Sequence, residues 1–218
     1  MKNLEFIFSA FIQDVHNPID YELMSFELRK ALPEINFISP STYMNLPFDA
    51  PPEFPRMQMA RSDGKVKFTF SKNRIDLAFN ELFLNEKSID SLSGINSLIS
   101  KIMQLLMSFS GLVFNRFAIV NRRYEVNPAP EKYLAMKLLK TKENIDSLEV
   151  SYSVKDEKGG LILNTAYQFS HGYLNDSREN IYLVTIEVNN NEVSKSLDHE
   201  SINIIFSTAI EKSEQFVL

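Results

Sequence analysis

Along residues 3–13, NLEFIFSAFIQ, apolar side chains recur at every second position: Leu4, Phe6, Phe8, Ala10 and Ile12. A period of two marks a β-strand, and Ile7 and Phe11 on the other parity predict a strand covered on both faces. The next stretch, NPIDYELMSFELRKALPE, changes period. Asn17 suits the N-cap, Pro18 the first helical position, and Asp20 and Glu22 the positive end of the helix. Ile19, Leu23, Phe26 and Lys30 line up as one stripe, which Leu28 and Leu32 widen on its apolar side. Pro33 ends the helix. Residues 34–39 read as a short strand. Residues 40–55 hold five of the chain's nine prolines, which predicts a long connection and excludes a central strand.

Residues 57–61 and 65–70 alternate on either side of Ser62-Asp63-Gly64, the pattern of a hairpin. Val66, Phe68 and Phe70 share a dry face, and Lys65, Lys67 and Thr69 a wet one. Ile75, Leu77 and Phe79 resume the dry side, giving three antiparallel strands in succession. Residues 88–109 then repeat at helical spacing, with Ser88 as cap, Asp90 in the first turn and Leu92, Ile95, Ile102 and Phe109 along the apolar side. Gly111 stops this helix.

The second half replays that order: strand 112–126, helix 129–139, strand 148–154, a turn at DEKGG, strands 161–169 and 181–188, and helix 200–216. Ile202, Ile205, Phe206, Ala209, Ile210 and Phe216 form the apolar side of the last helix. The predicted fold is α+β: a duplicated β-α-β-β-β-α plan in halves 1–111 and 112–218. It forms antiparallel-rich sheets with long helices packed on one face. Sheets joined edge to edge and sheets stacked face to face both fit this pattern.

The 218 residues are 44% hydrophobic and 23% charged, enough to build a core without a metal or disulfide staple. Absence of cysteine removes thiol catalysis and disulfides, and 17 phenylalanines predict an aromatic core. The opening MKNLEFIFSAFIQDVHNP has a leader-like apolar stretch, but Glu5 and Asp14 interrupt it. Residues 95–113 carry too many polar side chains to span a bilayer. The expectation is a cytoplasmic protein with no membrane role. A net charge of −5 argues against a surface broadly coated for nucleic acid and leaves room for a local basic patch.

Candidate chemistry is sparse. His16, His171 and His199 lack ligand-like spacing, so no metal is expected. No serine sits in a nucleophile elbow, and six glycines leave no phosphate-cradling loop, so no catalytic residue and no cofactor are expected. The carboxylate pairs Glu5 with Asp14 and Asp198 with Glu200 are explained by solvated charge.

The most polar strand is 115–126. There Arg116, Arg122 and Tyr124 share one parity, and Asn115, Asn121 and Arg123 the other. Two arginines and a tyrosine on one face suit phosphate, a base or an acidic peptide, Arg123 beside them is a further candidate for such binding, and Arg56, Arg61 and Arg74 join them if the sheets are continuous. The competing reading has Arg122 and Arg123 mark where the strand leaves the core and pairs Arg116 with a carboxylate. Met103, Leu106 and Met107 make an adaptable apolar surface that serves either a partner or the core.

Pro55-Arg56, Asp63-Gly64 and Asn73-Arg74-Ile75, followed by a long helix and the strand NRFAIVNRRYEV at 115–126, resemble a sporadically distributed, functionally uncharacterised family of bacterial proteins. The likeness spans about residues 1–130. Where the family strand reads nearer Arg-Tyr-Ile-Asn, this chain has Ala118-Ile119-Val120-Asn121. The resemblance implies a bacterial or phage-related source and no assigned activity. The functional expectation is a non-catalytic interaction subunit of a bacterial multi-protein system of the defence or toxin-control type. It would bind a protein partner or a second copy of itself. The alternatives are a nucleic-acid-binding module on the Arg/Tyr face and an apolar small-ligand pocket between sheet and long helix.

Overall fold

The period-two runs all enter one sheet. The computed structural model describes residues 1–15, 19–38, 40–47, 49–80, 92–108, 112–143, 145–175, 177–190 and 196–215. At the centre, β1 (Lys2–Val15) pairs antiparallel with β5 (Arg74–Asn80) on one side and β6 (Leu112–Val126) on the other. β4 (Val66–Ser71), β3 (Pro55–Ala60) and β2 (Thr42–Tyr43) follow beyond β5. Beyond β6 come β9 (Asn180–Asn190), β8 (Leu161–Tyr173) and β7 (Val150–Lys158). The fold is α+β, and the nine described strands are continuous edge to edge. Outward from the centre the first half contributes β1, β5, β4 and β3, and the second β6, β9, β8 and β7.

The described helices cover one face. They are α1 (Tyr21–Ala31), α2 (Leu92–Ser108), α3 (Pro130–Leu134, running on as a π-helical turn at Ala135–Leu139) and α4 (His199–Gln215). Ring contacts fix their side of the sheet: Tyr21 meets Phe70 at 5.4 Å, Tyr133 stacks on Tyr182 at 4.9 Å, and Phe206 packs on Phe6 at 5.6 Å. Phe6, Phe8 and Ala10 of β1, Val66, Phe68 and Phe70 of β4, and Ile75, Leu77 and Phe79 of β5 are buried there, as their alternation predicts. Tyr182 also donates to Glu125 at 2.8 Å, and burial together with that bond holds its phenol well above the usual range.

Several local expectations change. The N-cap of α1 is Asp20, whose carboxylate accepts from the Leu23 N–H at 2.9 Å. The stripe facing the sheet is Met24 and Leu28, one turn apart, while Leu23 and Phe26 stand exposed. The reason is polar: Ser25 bonds the Tyr43 hydroxyl at 2.6 Å and Arg29 donates to Ser41, and these contacts set the helix's rotation. Of the stretch 34–39 the described residues 34–38 form only a single bridge, Phe37 to Arg61, and Thr42–Tyr43 adds an unforeseen edge strand on Met57 and Gln58. In DEKGG only Gly159 and Gly160 turn, because both hold positive φ and the ladder runs on to Lys158. The expected roles of Asn17, Pro18, Ser88, Asp90, Phe109, Gly111 and Phe216 lie outside the described residues.

At the start of α4, Asp198 accepts from the Ser201 N–H at 2.9 Å and from its hydroxyl at 2.7 Å, and these bonds hold its carboxyl below the ordinary range. A carboxyl depressed by folding contributes stability above its unfolded pKa and loses it as pH falls through the folded value. Asp198→Ala should therefore cost about 1 kcal/mol at neutral pH. In urea titrations the gap to wild type should close as pH drops below the ordinary carboxylate range. A gap unchanged in acid would remove the cap from this account.

Candidate functional site

The other face of the sheet carries no described helix. Its centre is Phe11, which lies in register with Arg74 on β5 and Arg116 on β6. Both guanidinium groups sit over the Phe11 ring, 5.9 Å and 5.0 Å from its centroid. A cation over an aromatic face is worth about 0.5–1 kcal/mol where solvent reaches it. The alternation that puts Phe8 and Ala10 under the helices forces Phe11 to this side. Phe11 is half-buried under its neighbours' side chains, and among the described residues the second layer expected for Ile7 and Phe11 does not lie over it.

Each arginine of this face meets a carboxylate. Arg74 Nε bonds Asp76 at 2.9 Å, and Asp76 also accepts from Ser9 at 2.6 Å. Arg116 reaches Glu187 at 3.7 Å, and Arg122 donates to Glu5 at 2.5 Å from the facing position on β1. Pairs as exposed as these stabilise little, about 0–1 kcal/mol each. Their main consequence is electrostatic, because Arg74, Arg116 and Arg122 are balanced by Asp76, Glu187 and Glu5. Beside Arg116 the sheet curves into a basin of about 430 Å³ lined by Ser151, Ser153, Ala166, Gln168, Thr185 and Glu187.

The other arginines read as one surface do not join it. Arg56 donates to the Leu46 and Ala50 carbonyls at 3.4 Å and 3.5 Å and so fastens the proline-rich connection. Arg61 pairs with Asp63 at 3.1 Å at the tip of the β3–β4 hairpin. Arg123 points to the helix side, where it donates to the Ser213 carbonyl at the end of α4 and to Met1 O. Asn121 on the same side donates to the Ser213 hydroxyl at 3.1 Å, so these two residues latch the last turn of α4. Tyr124 keeps the parity of Arg122 but is buried.

Met103 and Leu106 are fully buried in the core, so α2 does not offer them to a partner, and Met107 packs partly buried against that core. The helix is covered by α1, α4 and β6. His171 pairs with Glu131 at 3.0 Å and His199 with Asn203 at 3.2 Å. Among the described residues no cluster of three or more His, Asp or Glu side chains comes together to hold a metal. Among them, too, no helix is long and apolar enough to cross a membrane. Sequence reasoning missed Phe11 as the centre of the face, and the off-parity phenylalanine in an otherwise clean run was its signal.

No family model matches the chain, and no curated protein matches it. Among solved structures it is similar to a rolling circle replication initiator protein from Geobacillus stearothermophilus. The likeness has 11% identity and a TM-score of 0.36, and covers 95% of this chain and 79% of that one. A likeness of that degree transfers no chemistry from one protein to the other.

Proposed function

We propose that the chain is a non-catalytic protein-binding subunit that meets its partner on the uncovered sheet face, with Phe11 between Arg74 and Arg116 as the anchor. The charge balance supports this reading over a nucleic-acid surface. A backbone cradle needs cations free for phosphate, whereas Arg74, Arg116 and Arg122 each already face a carboxylate. An aromatic ring flanked by arginines is instead the composition of a protein-interface centre.

The test compares wild type with a Phe11→Ala/Arg116→Ala variant. Tagged full-length protein is recovered from its source cells, and the partner identified by mass spectrometry is then titrated in purified form. The variant should bind about 30-fold or more weakly, as loss of a central anchor does. Its urea midpoint should stay close to wild type, because half-exposed side chains cost little to truncate. Single-stranded DNA and RNA oligonucleotides should show no binding at low salt. Tight oligonucleotide binding that falls steeply with salt and vanishes in the variant would replace this reading with the nucleic-acid one.

A further inference from the structure

The two edges of the sheet are unlike. β2 has two residues and adjoins the proline-rich connection, whereas β7 has nine. β7 contains no proline, pairs with β8 in unbroken register from Val150↔Phe169 to Lys158↔Leu161, and has no described strand beyond it. The β7–β8 hairpin closes through Gly159 and Gly160 at φ 59° and 74°, a two-residue loop. The pair flanking such a loop exchanges both main-chain bonds, so alternation aims the N–H and C=O groups of Lys155, Ser153 and Ser151 away from β8. On the helix side Tyr152 and Val154 are 46% and 38% exposed. The hairpin end of the strand is tied to α4 by Lys158–Glu211 at 2.6 Å and Lys212–Asp156 at 2.8 Å. Among the described residues, 149–155 have no such tie, although Glu149 accepts from Gln168 within the sheet.

We propose that two copies of the chain join β7 to β7, antiparallel, across a two-fold axis at Tyr152, continuing one sheet into the next. The pairing of Glu149 with Lys155 favours this register. Centred on Tyr152, Tyr152 faces Tyr152 of the second copy, Val150 faces Val154, Ser151 faces Ser153, and Glu149 faces Lys155, each unlike pair occurring twice. Apolar side chains then meet on the helix side and opposite charges on the open side, the pairings that stabilise adjacent strands. A centre at Ser153 sets Glu149 against Glu157, one at Val154 sets Tyr152 against Asp156, and one at Lys155 sets that lysine against itself. An exposed, regular, partly apolar edge is a template for strand pairing, and here the complementary strand is the edge's own sequence. This contact uses none of Phe11, Arg74 and Arg116, so it is tested separately from the partner-binding reading, although Ser151 and Ser153 of the seam also line the basin beside Arg116.

Light scattering on size-exclusion fractions of the full chain should give the mass of a dimer that dissociates on dilution. Lys155→Glu alone and Glu149→Lys alone each bring like charges together twice and should weaken the dimer about tenfold or more. The combined charge swap should recover affinity to within about threefold, because it restores opposite charges only in the Tyr152-centred register. Ser153→Pro removes an outward N–H without touching the ladder to β8 and should give monomer with unchanged circular dichroism. Phe11→Ala should leave the dimer intact. A monomeric wild type at the highest soluble concentration overturns the proposal, whatever Phe11 does for other partners. A dimer indifferent to both single changes, or single losses that the swap does not repair, overturns it equally.

Discussion

Phe8→Ala is expected to lower the unfolding free energy by about 3–5 kcal/mol, a large part of the stability of an ordinary domain. Phe8 stands on the central strand at 1% exposure, its ring 5.8 Å from that of Phe117 on β6, under the helix layer. Removing the ring leaves a cavity that β1 cannot close, since the strand is held on both sides by β5 and β6. Urea unfolding followed by circular dichroism should show a lower midpoint with an unchanged slope, the sign of lost stability without a changed unfolded state. Phe11→Ala, three residues along the same strand, should cost only about 1 kcal/mol, because its ring is sheltered by two guanidinium groups and not by a core. The contrast tests the two-layer architecture directly. Equal losses from the two substitutions would mean that both faces of β1 are covered, and the candidate site would no longer exist as a surface.

How far the sequence disclosed this arrangement depended on how local the deciding physics was. The alternation in β4 and β5 is governed by one buried face, and every apolar residue it marked is buried. The burial of Met103 and Leu106 was open because a helix with apolar residues on more than one side fits a core or a partner equally well. Only the packing of α1 and α4 on α2 decides between them. Parity in β6 misled because the strand is bulged: Phe11 faces Arg116, Ile12 faces Phe114, and Asn115 is the extra residue. Leu112 and Phe114 therefore join Phe117 and Ile119 on the helix side despite their opposite parity. Arg123 looked like a ligand-binding residue and proves to latch α4, since its acceptor lies 90 residues away. The ion-pair reading of Arg116 named the right interaction, but Glu187 as its partner, and the pairing of Arg122 with Glu5, follow from strand order, which short-range pattern does not encode.

The bulge itself supplies the second large effect. Asn190, 2% exposed at the end of β9, accepts from the Phe117 N–H at 2.7 Å and donates to the Asn115 carbonyl at 3.0 Å. The ladder between β6 and β9 begins only at Ala118↔Asn189, so this side-chain amide takes over the main-chain pairing where the ladder stops. Asn190→Ala strands a buried donor and its neighbouring acceptor together, and should cost about 2–4 kcal/mol. Asn190→Asp keeps the acceptor for Phe117 and loses the donor to Asn115, so its cost should be smaller. Hydrogen exchange reads the effect locally: the Phe117 amide should lose protection in the alanine variant while the amides of β4 and β5 keep theirs. Uniform loss across the sheet would make Asn190 a generic core residue and not a clamp. The clamp also bears on the open face, since a one-residue slip in a strand exchanges its two faces. If the bulge relaxes, Arg116 leaves Phe11 and Glu187, and partner binding should weaken with it, although Asn190 itself lies at the strand end under the helix layer.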